Sequence, residues 1–326
     1  MTYSHFISLF FILIVFLGGC KKNDNQYIVE EGLVWNTEFH ITYKGSPQLK
    51  DSIRTVLAET GHNLSVFDPS SLVSKVNAQD STEVNDDFRR VYEMSKKIHR
   101  LSAGAFDPTL SPLIDAWGFG RGHTPTADTL RIDSLLRITG IDKTRLHGGM
   151  IVKDCKDIQF NFSAIAKGYG CDKVAEMMQR NGVTDYLIEI GGEIASGGKS
   201  PRGGKWNISI DRPVKEDTGT KHESQMIISI SGEGVATSGN YRNYHEQGGK
   251  NIGHTISSIT GRPIETDVLS ATVVAPTAME ADALSTALMA TEKGKAVDFA
   301  KSLRLPVLLI FPDSIWMSEE MNKLKL

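Results

Sequence analysis

The sequence has little cysteine, no cluster of basic residues with interleaved aromatic residues, and no apolar run long enough to cross a bilayer. Its 326 residues contain 3 cysteines, and 36 basic residues against 39 acidic ones give a net charge of −3. Nucleic-acid-binding surfaces combine basic clusters with aromatic residues, so we exclude nucleic acid as a partner. The one marked apolar run covers residues 6–17, which is too short for a transmembrane helix, and we expect the rest of the chain to be soluble.

The apolar run ends in Leu17-Gly18-Gly19-Cys20, and small residues before a cysteine are what a lipoprotein signal peptidase requires. We predict a signal peptide over residues 1–19, a lipid on Cys20 and a short tether over residues 20–30. The alternative is an ordinary signal peptide followed by a chance cysteine. The prediction places the protein on a cell membrane, anchored by its lipid and facing the periplasm, with the choice of inner or outer membrane left open.

The remaining residues, 31–326, are predicted to form one domain with an α+β fold. Apolar spacing predicts helices over residues 49–64, 86–102 and 164–182. Runs of β-branched and aromatic residues predict strands over 186–190, 206–210, 226–230, 269–275 and 305–311. These elements follow no regular βαβ order, which favours mixed sheets with flanking helices. Cys155 and Cys171 fit either a disulfide or two small buried residues.

A carboxylate and a hydroxyl lie four residues apart on a further predicted helix. Thr277 and Glu280 form a capping box, which starts this helix. Asp282 and Thr286 then point the same way, and we expect Asp282 at a surface-facing helix start. Two hard oxygen ligands at this spacing suit Mg²⁺. The alternative is that Asp282 only interacts with the helix dipole.

Three further stretches combine small residues with one or two charged side chains. Residues 161–170 open a helix with Lys167 in its first turn, where a helix N-terminus attracts phosphate, although the Gly-Lys-Ser/Thr ending of a Walker loop is absent. Residues 189–193 break a strand at paired glycines, and residues 102–109 turn sharply and carry Asp107. Each stretch alone is also an ordinary turn signal, so their number and order carry the argument.

In this order the motifs resemble the ApbE family of flavin transferases, which move FMN from FAD onto a hydroxyl side chain of a partner protein. The matching stretches are residues 104–109, 112–113, 117–120, 164–169, 189–193, 236–242, 254–256, 260–263 and 272–286. The resemblance covers residues 31–311. It implies an ApbE-like, T-fold-related fold, with FAD as substrate and Mg²⁺ as cofactor.

The resemblance also implies roles for single residues. Asp282, Thr286 and the backbone carbonyl of Ala164 match the family's Mg²⁺ ligands. His254 matches a histidine proposed as the general base, with a structural histidine that caps a strand end as the alternative. The positions that match flavin-contacting residues are Trp35, Phe67, Ala105, Phe106, Asp107, Asn161, Lys167 and Ile256. The chain departs from the family where many relatives have Asp in place of Asn161, and where Ser257-Ser258 replaces Asp-Pro or Asn-Pro.

The implied reaction is Mg²⁺-dependent transfer of FMN from FAD to a Thr or Ser hydroxyl, with release of AMP. The expected partners are flavin-accepting subunits of membrane redox complexes, which a lipid anchor would bring within reach. Two alternatives stay open. One is a periplasmic FAD pyrophosphatase that yields FMN and AMP, and the other is a non-catalytic FAD-binding lipoprotein.

Overall fold

The computed structural model describes residues 26–45, 47–79, 81–120, 125, 128–213, 223–239, 244–247, 250–253 and 255–326. The predicted signal peptide, Cys20 and His254 lie outside these residues. Within the described part of the chain, no helix combines the length and the apolar character needed to cross a membrane.

Fifteen strands are found in the described residues. They are β1 (Tyr27–Val34), β2 (Thr37–Lys44), β3 (Ser81–Glu83), β4 (Thr144–His147), β5 (Met150–Lys153), β6 (Tyr186–Ile190), β7 (Glu193–Gly197), β8 (Trp206–Asp211), β9 (Ser224–Ile230), β10 (Gly234–Gly239), β11 (Tyr244–Gln247), β12 (Lys250–Gly253), β13 (Ser270–Ala275), β14 (Val307–Ile310) and β15 (Ile315–Met317). Eight of them form one antiparallel sheet in the order β1-β2-β6-β7-β10-β13-β14-β15. The others form the small sheets β3-β5-β4, β8-β9 and β11-β12.

The helices flank these sheets. They are α1 (Lys50–Leu64), α2 (Leu72–Ala78), α3 (Asp86–Leu101), α4 (Ser111–Ala116), α5 (Thr129–Arg137), α6 (Ala166–Arg180), α7 (Ala278–Met289), α8 (Ala296–Leu303) and α9 (Glu319–Leu324). The helices and strands predicted from the sequence are confirmed to within two residues at each end. The predicted α+β class, with mixed helices and sheets, is also confirmed.

The large sheet is covered on both faces. Side chains along each strand therefore point alternately to the two faces. Val273 of β13 packs into the core beneath α3 and α7, whereas Val274 packs against the β8-β9 hairpin and α9. Every residue of β13 is buried for this reason. The helical side contains α1, α6 and α7, and it carries the cleft described below.

The two cysteines of the folded domain are not bonded to each other. Cys171 is buried in α6 and Cys155 is partly buried near the end of β5. Of the two alternatives that the sequence left open, the structure therefore supports unpaired cysteines.

Candidate functional site

Most of the residues selected from the sequence line one cleft of about 430 Å³. These are Phe67, Ala105, Phe106, Asp107, Asn161, Ala164, Lys167, Ile256, Asp282 and Thr286. Trp35 lines a neighbouring pocket of about 400 Å³, which shares Phe67 and Lys167 with the cleft. The structure does not describe His254, but Thr255 and Ile256, which follow it in the chain, line the cleft. The two spaces together form an elongated site.

Asp282 lies deeper than the sequence predicted. Its residue surface is 3 % exposed, and its Oδ2 accepts the backbone N–H of Gly168 at 3.0 Å. The expectation of a surface-facing helix start is wrong because α7 packs against α6 on one side and the sheet on the other. A Cβ at Gly168 would lie 2.2 Å from the carbonyl oxygen of Ala278, so glycine permits this approach. Burial raises the pKa of Asp282 above its ordinary value.

The start of α7 is held by two side chains. Thr277 accepts the N–H of Glu280 at 3.1 Å, as the capping box requires. The carboxylate of Glu280 instead pairs with Lys97 at 2.6 Å. The backbone N–H groups of Ala278 and Met279, the first two residues of α7, donate to the carboxylate of Asp172 on α6, both at 2.9 Å. These contacts fix α7, which carries Asp282 and Thr286, against α6.

Oxygen atoms dominate the side of the cleft formed by α7. The hydroxyl of Thr286 lies 3.2 Å from the hydroxyl of Ser238 on β10, and Ala164 also lines the cleft. Among the described residues no three His, Cys, Asp or Glu side chains gather to hold a metal ion. A buried carboxylate, a hydroxyl and a backbone carbonyl fit Mg²⁺, which prefers oxygen ligands.

Glu193 is the site residue that the sequence argument missed. It is 3 % exposed, lines the cleft and forms an ion pair with Lys167. Burial raises the pKa of Glu193, and the nearby charge of Asp282 adds to the effect. Burial alone would lower the pKa of Lys167, but the carboxylates of Glu193 and Asp282 outweigh it and the pKa is raised. The available signal in the sequence was the Gly-Gly-Glu stretch, whose two glycines separate β6 from β7.

The loop that carries Asp107 is stabilised by hydrogen bonds to the carboxylate of Asp107 itself. One oxygen of Asp107 accepts the N–H and the hydroxyl of Thr109 at 2.8 and 2.6 Å, and the other accepts the N–H of Ile141 at 3.1 Å. Its carboxylate therefore shapes the loop more than it reaches into the cleft. The N–H of Asn161 donates to the carbonyl of Pro108 at 2.7 Å, which joins the two cleft-lining loops.

Trp35 stands in an unusual backbone conformation. It forms the two-residue turn between β1 and β2 with Asn36, and their φ angles are +50° and +61°. Such turns require positive φ, but a bulky residue rarely adopts it. A Cβ at Gly61 or Gly170 would lie 2.5 or 2.4 Å from the indole, so both glycines leave room for it. The turn and the two glycines thus place the indole of Trp35 between α1 and α6.

Fold and cleft together define an α+β protein with an elongated site, which α6, α7 and the central strands β7 and β10 of an antiparallel sheet help to line. The sequence profile of the ApbE family matches residues 35–309. The chain therefore belongs to the ApbE family.

Individual relatives agree with this assignment. A Vibrio cholerae protein named FAD:protein FMN transferase is 34 % identical over 310 residues, which cover 91 % of each chain. The structure of the flavin transferase ApbE from Vibrio cholerae matches with a TM-score of 0.82 at 29 % identity and covers 92 % of this chain and 99 % of that one. The apo form of the Pseudomonas stutzeri flavinyl transferase ApbE matches with a TM-score of 0.83 at 28 % identity, over 92 % of this chain and 97 % of that one.

Proposed function

We propose that this protein is an FAD:protein FMN transferase. In the proposed reaction, FMN passes from FAD to a Thr or Ser hydroxyl of a partner protein in a Mg²⁺-dependent step that releases AMP. The observation that carries the proposal is the meeting of Asp282 and Thr286 with the flavin-matching residues in one cleft. The names of the relatives support flavin transfer as the type of reaction.

Several polar and charged residues have specific roles in the proposed reaction. Asp282, Thr286 and the carbonyl of Ala164 would hold Mg²⁺, which when bound would neutralise charge on the pyrophosphate of FAD. Lys167 adds a positive charge whose position is set by its ion pair with Glu193. His254 would take the proton of the incoming hydroxyl, since imidazole titrates near neutral pH.

The proposed FAD site continues from the cleft into the neighbouring pocket. Phe67 stands between the two spaces and is 62 % exposed, so its ring is available to a ligand. Trp35 gives the neighbouring pocket an aromatic wall, and aromatic faces stack on flat ring systems. FAD has such a ring system at each end and a pyrophosphate between them, which matches a site with a charged centre and an aromatic extension.

We also propose that a lipid on Cys20 anchors the protein to a cell membrane, facing the periplasm. Residues 1–19 would be removed, and the predicted tether over residues 20–30 would link the lipid to the catalytic domain of residues 31–326, although its last four residues already form the start of β1. The proposed partners are flavin-accepting subunits of membrane redox complexes. Anchoring enzyme and partner to one surface raises their effective concentration without any new contact.

The test is incubation of the purified full chain with FAD, Mg²⁺ and a redox-subunit fragment that carries an acceptor Thr. A fragment with the added mass of FMN supports transfer. Release of FMN and AMP without a labelled fragment points to hydrolysis, and intact FAD contradicts any enzymatic role.

The metal assignment is tested by Asp282→Asn, which removes the charge but keeps an oxygen for the N–H of Gly168. We expect the rate of FMN transfer to fall at least about a hundredfold, because losing a direct metal ligand weakens metal binding more than losing a residue that only contacts a ligand. Glu280→Gln is the matched control, since it removes one carboxylate from the same helix. Full Mg²⁺-dependent activity in Asp282→Asn would refute the assignment.

A further inference from the structure

Two strands of the large sheet run between the cleft and the opposite end of the domain. β1 starts at Tyr27, close to the N-terminal limit of the described residues, and leads to Trp35 beside the cleft. β7 starts at Glu193 in the cleft and leads away from it to Gly197. At about 3.4 Å per residue, the eight residues of β1 separate the two ends by about 25 Å. The N-terminal tether therefore enters the domain far from the cleft.

Three exposed cations lie at that far end. They are Lys199, Arg202 and Lys205, in the connection between β7 and β8, and residues 199–205 are called the basic turn below. Among the residues that the structure describes, none of the three side chains takes part in an ion pair. The nearby carboxylate of Asp185 accepts the backbone N–H of Lys199 at 3.0 Å. In a chain of net charge −3, this is a local concentration of positive charge.

The basic turn has a defined shape. The N–H of Ser200 donates to the carbonyl of Gly204 at 2.8 Å, and the N–H of Gly203 donates to the carbonyl of Ser200 at 2.8 Å. A groove of about 460 Å³ runs along it, with Arg202 and Lys205 among its lining residues. The three cations are thus presented from a closed turn rather than from a long loop.

Direct contacts tie the basic turn to the point where the chain enters the domain. The hydroxyl of Tyr27 donates to the carbonyl of Lys199 at 2.7 Å, and its ring meets Trp206 edge to face at 6.3 Å between centroids. Cys20 precedes Tyr27 by seven residues, which span at most about 25 Å when fully extended. A lipid on Cys20 would therefore keep the basic turn near the bilayer surface.

We propose that the basic turn is a membrane-facing surface that binds the phosphates of anionic lipid headgroups. This inference rests on the lipid anchor of the proposed function and adds an orientation to it. With the basic turn on the bilayer, β1 and β7 direct the cleft away from the lipid, toward the water where a partner's hydroxyl arrives. Each cation near an anionic surface strengthens binding about fivefold, so the three together contribute about a hundredfold.

The test uses the lipidated full chain attached to vesicles of phosphatidylcholine, with or without phosphatidylglycerol. Lysines are acetylated and their rates of modification are read by mass spectrometry. We expect Lys199 and Lys205 to be protected on the anionic vesicles only and to regain reactivity at high salt, because salt screens exposed charges. Lys293, which is exposed after the end of α7, is the internal reference and should react equally on both.

Two single variants test whether protection depends on the cations of the basic turn or only on the total charge of the protein. Arg202→Gln should reduce the protection of Lys199 and Lys205 about fivefold. Arg131→Gln, which removes an exposed cation from α5, should leave that protection unchanged. Equal rates at Lys199 and Lys205 on neutral and anionic vesicles would overturn the proposal.

Attachment to neutral vesicles reports the anchor alone, with Cys20→Ser as its control. If the chain does not attach to them, the anchor is wrong. Protection of Lys199 and Lys205 by added anionic vesicles would still support the basic turn in that case, and its absence would overturn the proposal. The anchor and the basic turn can thus fail separately.

Discussion

Replacing Asp172 by asparagine tests how α7 is held in place. Asp172 lies in the second turn of α6, and its two oxygens each accept one N–H from the first turn of α7. Those N–H groups favour the charged carboxylate, but burial disfavours it more strongly and raises its pKa from 3.8 to about 6. Asp172 therefore binds a proton more tightly in the folded protein than in the unfolded one.

The sign of the pH effect follows from this difference. Between pH 3.8 and about 6 the folded state holds more protons at Asp172 than the unfolded state does, so stability falls as the pH rises through this window. A pKa raised from 3.8 to about 6 corresponds to a loss of about 3 kcal/mol. Above the window, the contribution is constant. Asp172→Asn does not titrate, so the variant lacks this loss.

The assay is urea unfolding of both proteins at several pH values. Asparagine offers one acceptor oxygen for two N–H groups, which costs about 1–3 kcal/mol at about pH 4, where the wild type has lost little stability through titration. We expect the wild-type advantage in unfolding free energy to shrink by about 3 kcal/mol between about pH 4 and pH 7. A difference that does not change with pH would refute the raised pKa of Asp172.

Two further substitutions test the packing around Trp35 and the hydrogen bonds of the buried Lys153. Gly170→Ala forces the indole of Trp35 to move, so we expect a stability loss of about 1–3 kcal/mol and weaker binding in a titration with FAD. Gly204→Ala is the control, because its Cβ would meet open space, and it should change neither stability nor FAD binding. Lys153→Met removes the ammonium group that donates to four backbone carbonyls at 2.9 to 3.2 Å. We expect the free energy of unfolding in urea to fall by about 3 kcal/mol. Equal stability of this variant and of Lys156→Met, which changes an exposed lysine, would contradict this expectation.

The order of helices and strands was predictable because it depends on local spacing. α3 is capped by Asn85, whose side chain accepts the N–H of Phe88, and the apolar residues of the helix face one way. The surface-facing position predicted for Asp282 was wrong for a different reason. The residues of α7 are almost all buried, so the helix has no polar face to indicate which side lies toward the solvent.

The candidate site was predictable only in part. Asp282 and Thr286 are four residues apart on one helix, so their common direction follows from helix geometry. The position of Glu193 instead depends on the pairing of β7 with β6, which turns its side chain into the cleft next to Lys167. Trp35 depends on α1 and α6, whose glycines lie far away in the sequence. Contacts of this kind require the complete fold.

The pairing of Lys167 with Glu193 changes the argument about charge in the cleft. The sequence suggested a lysine free to meet a phosphate, but the structure places Lys167 between Glu193 and Asp282. One carboxylate is enough to neutralise the lysine, so this group of three side chains offers no net positive charge to a pyrophosphate by itself. The proposed Mg²⁺ would supply that positive charge toward the pyrophosphate of FAD. The same three side chains would then favour FAD only with the cation bound, which is the physical reason to expect metal-dependent binding.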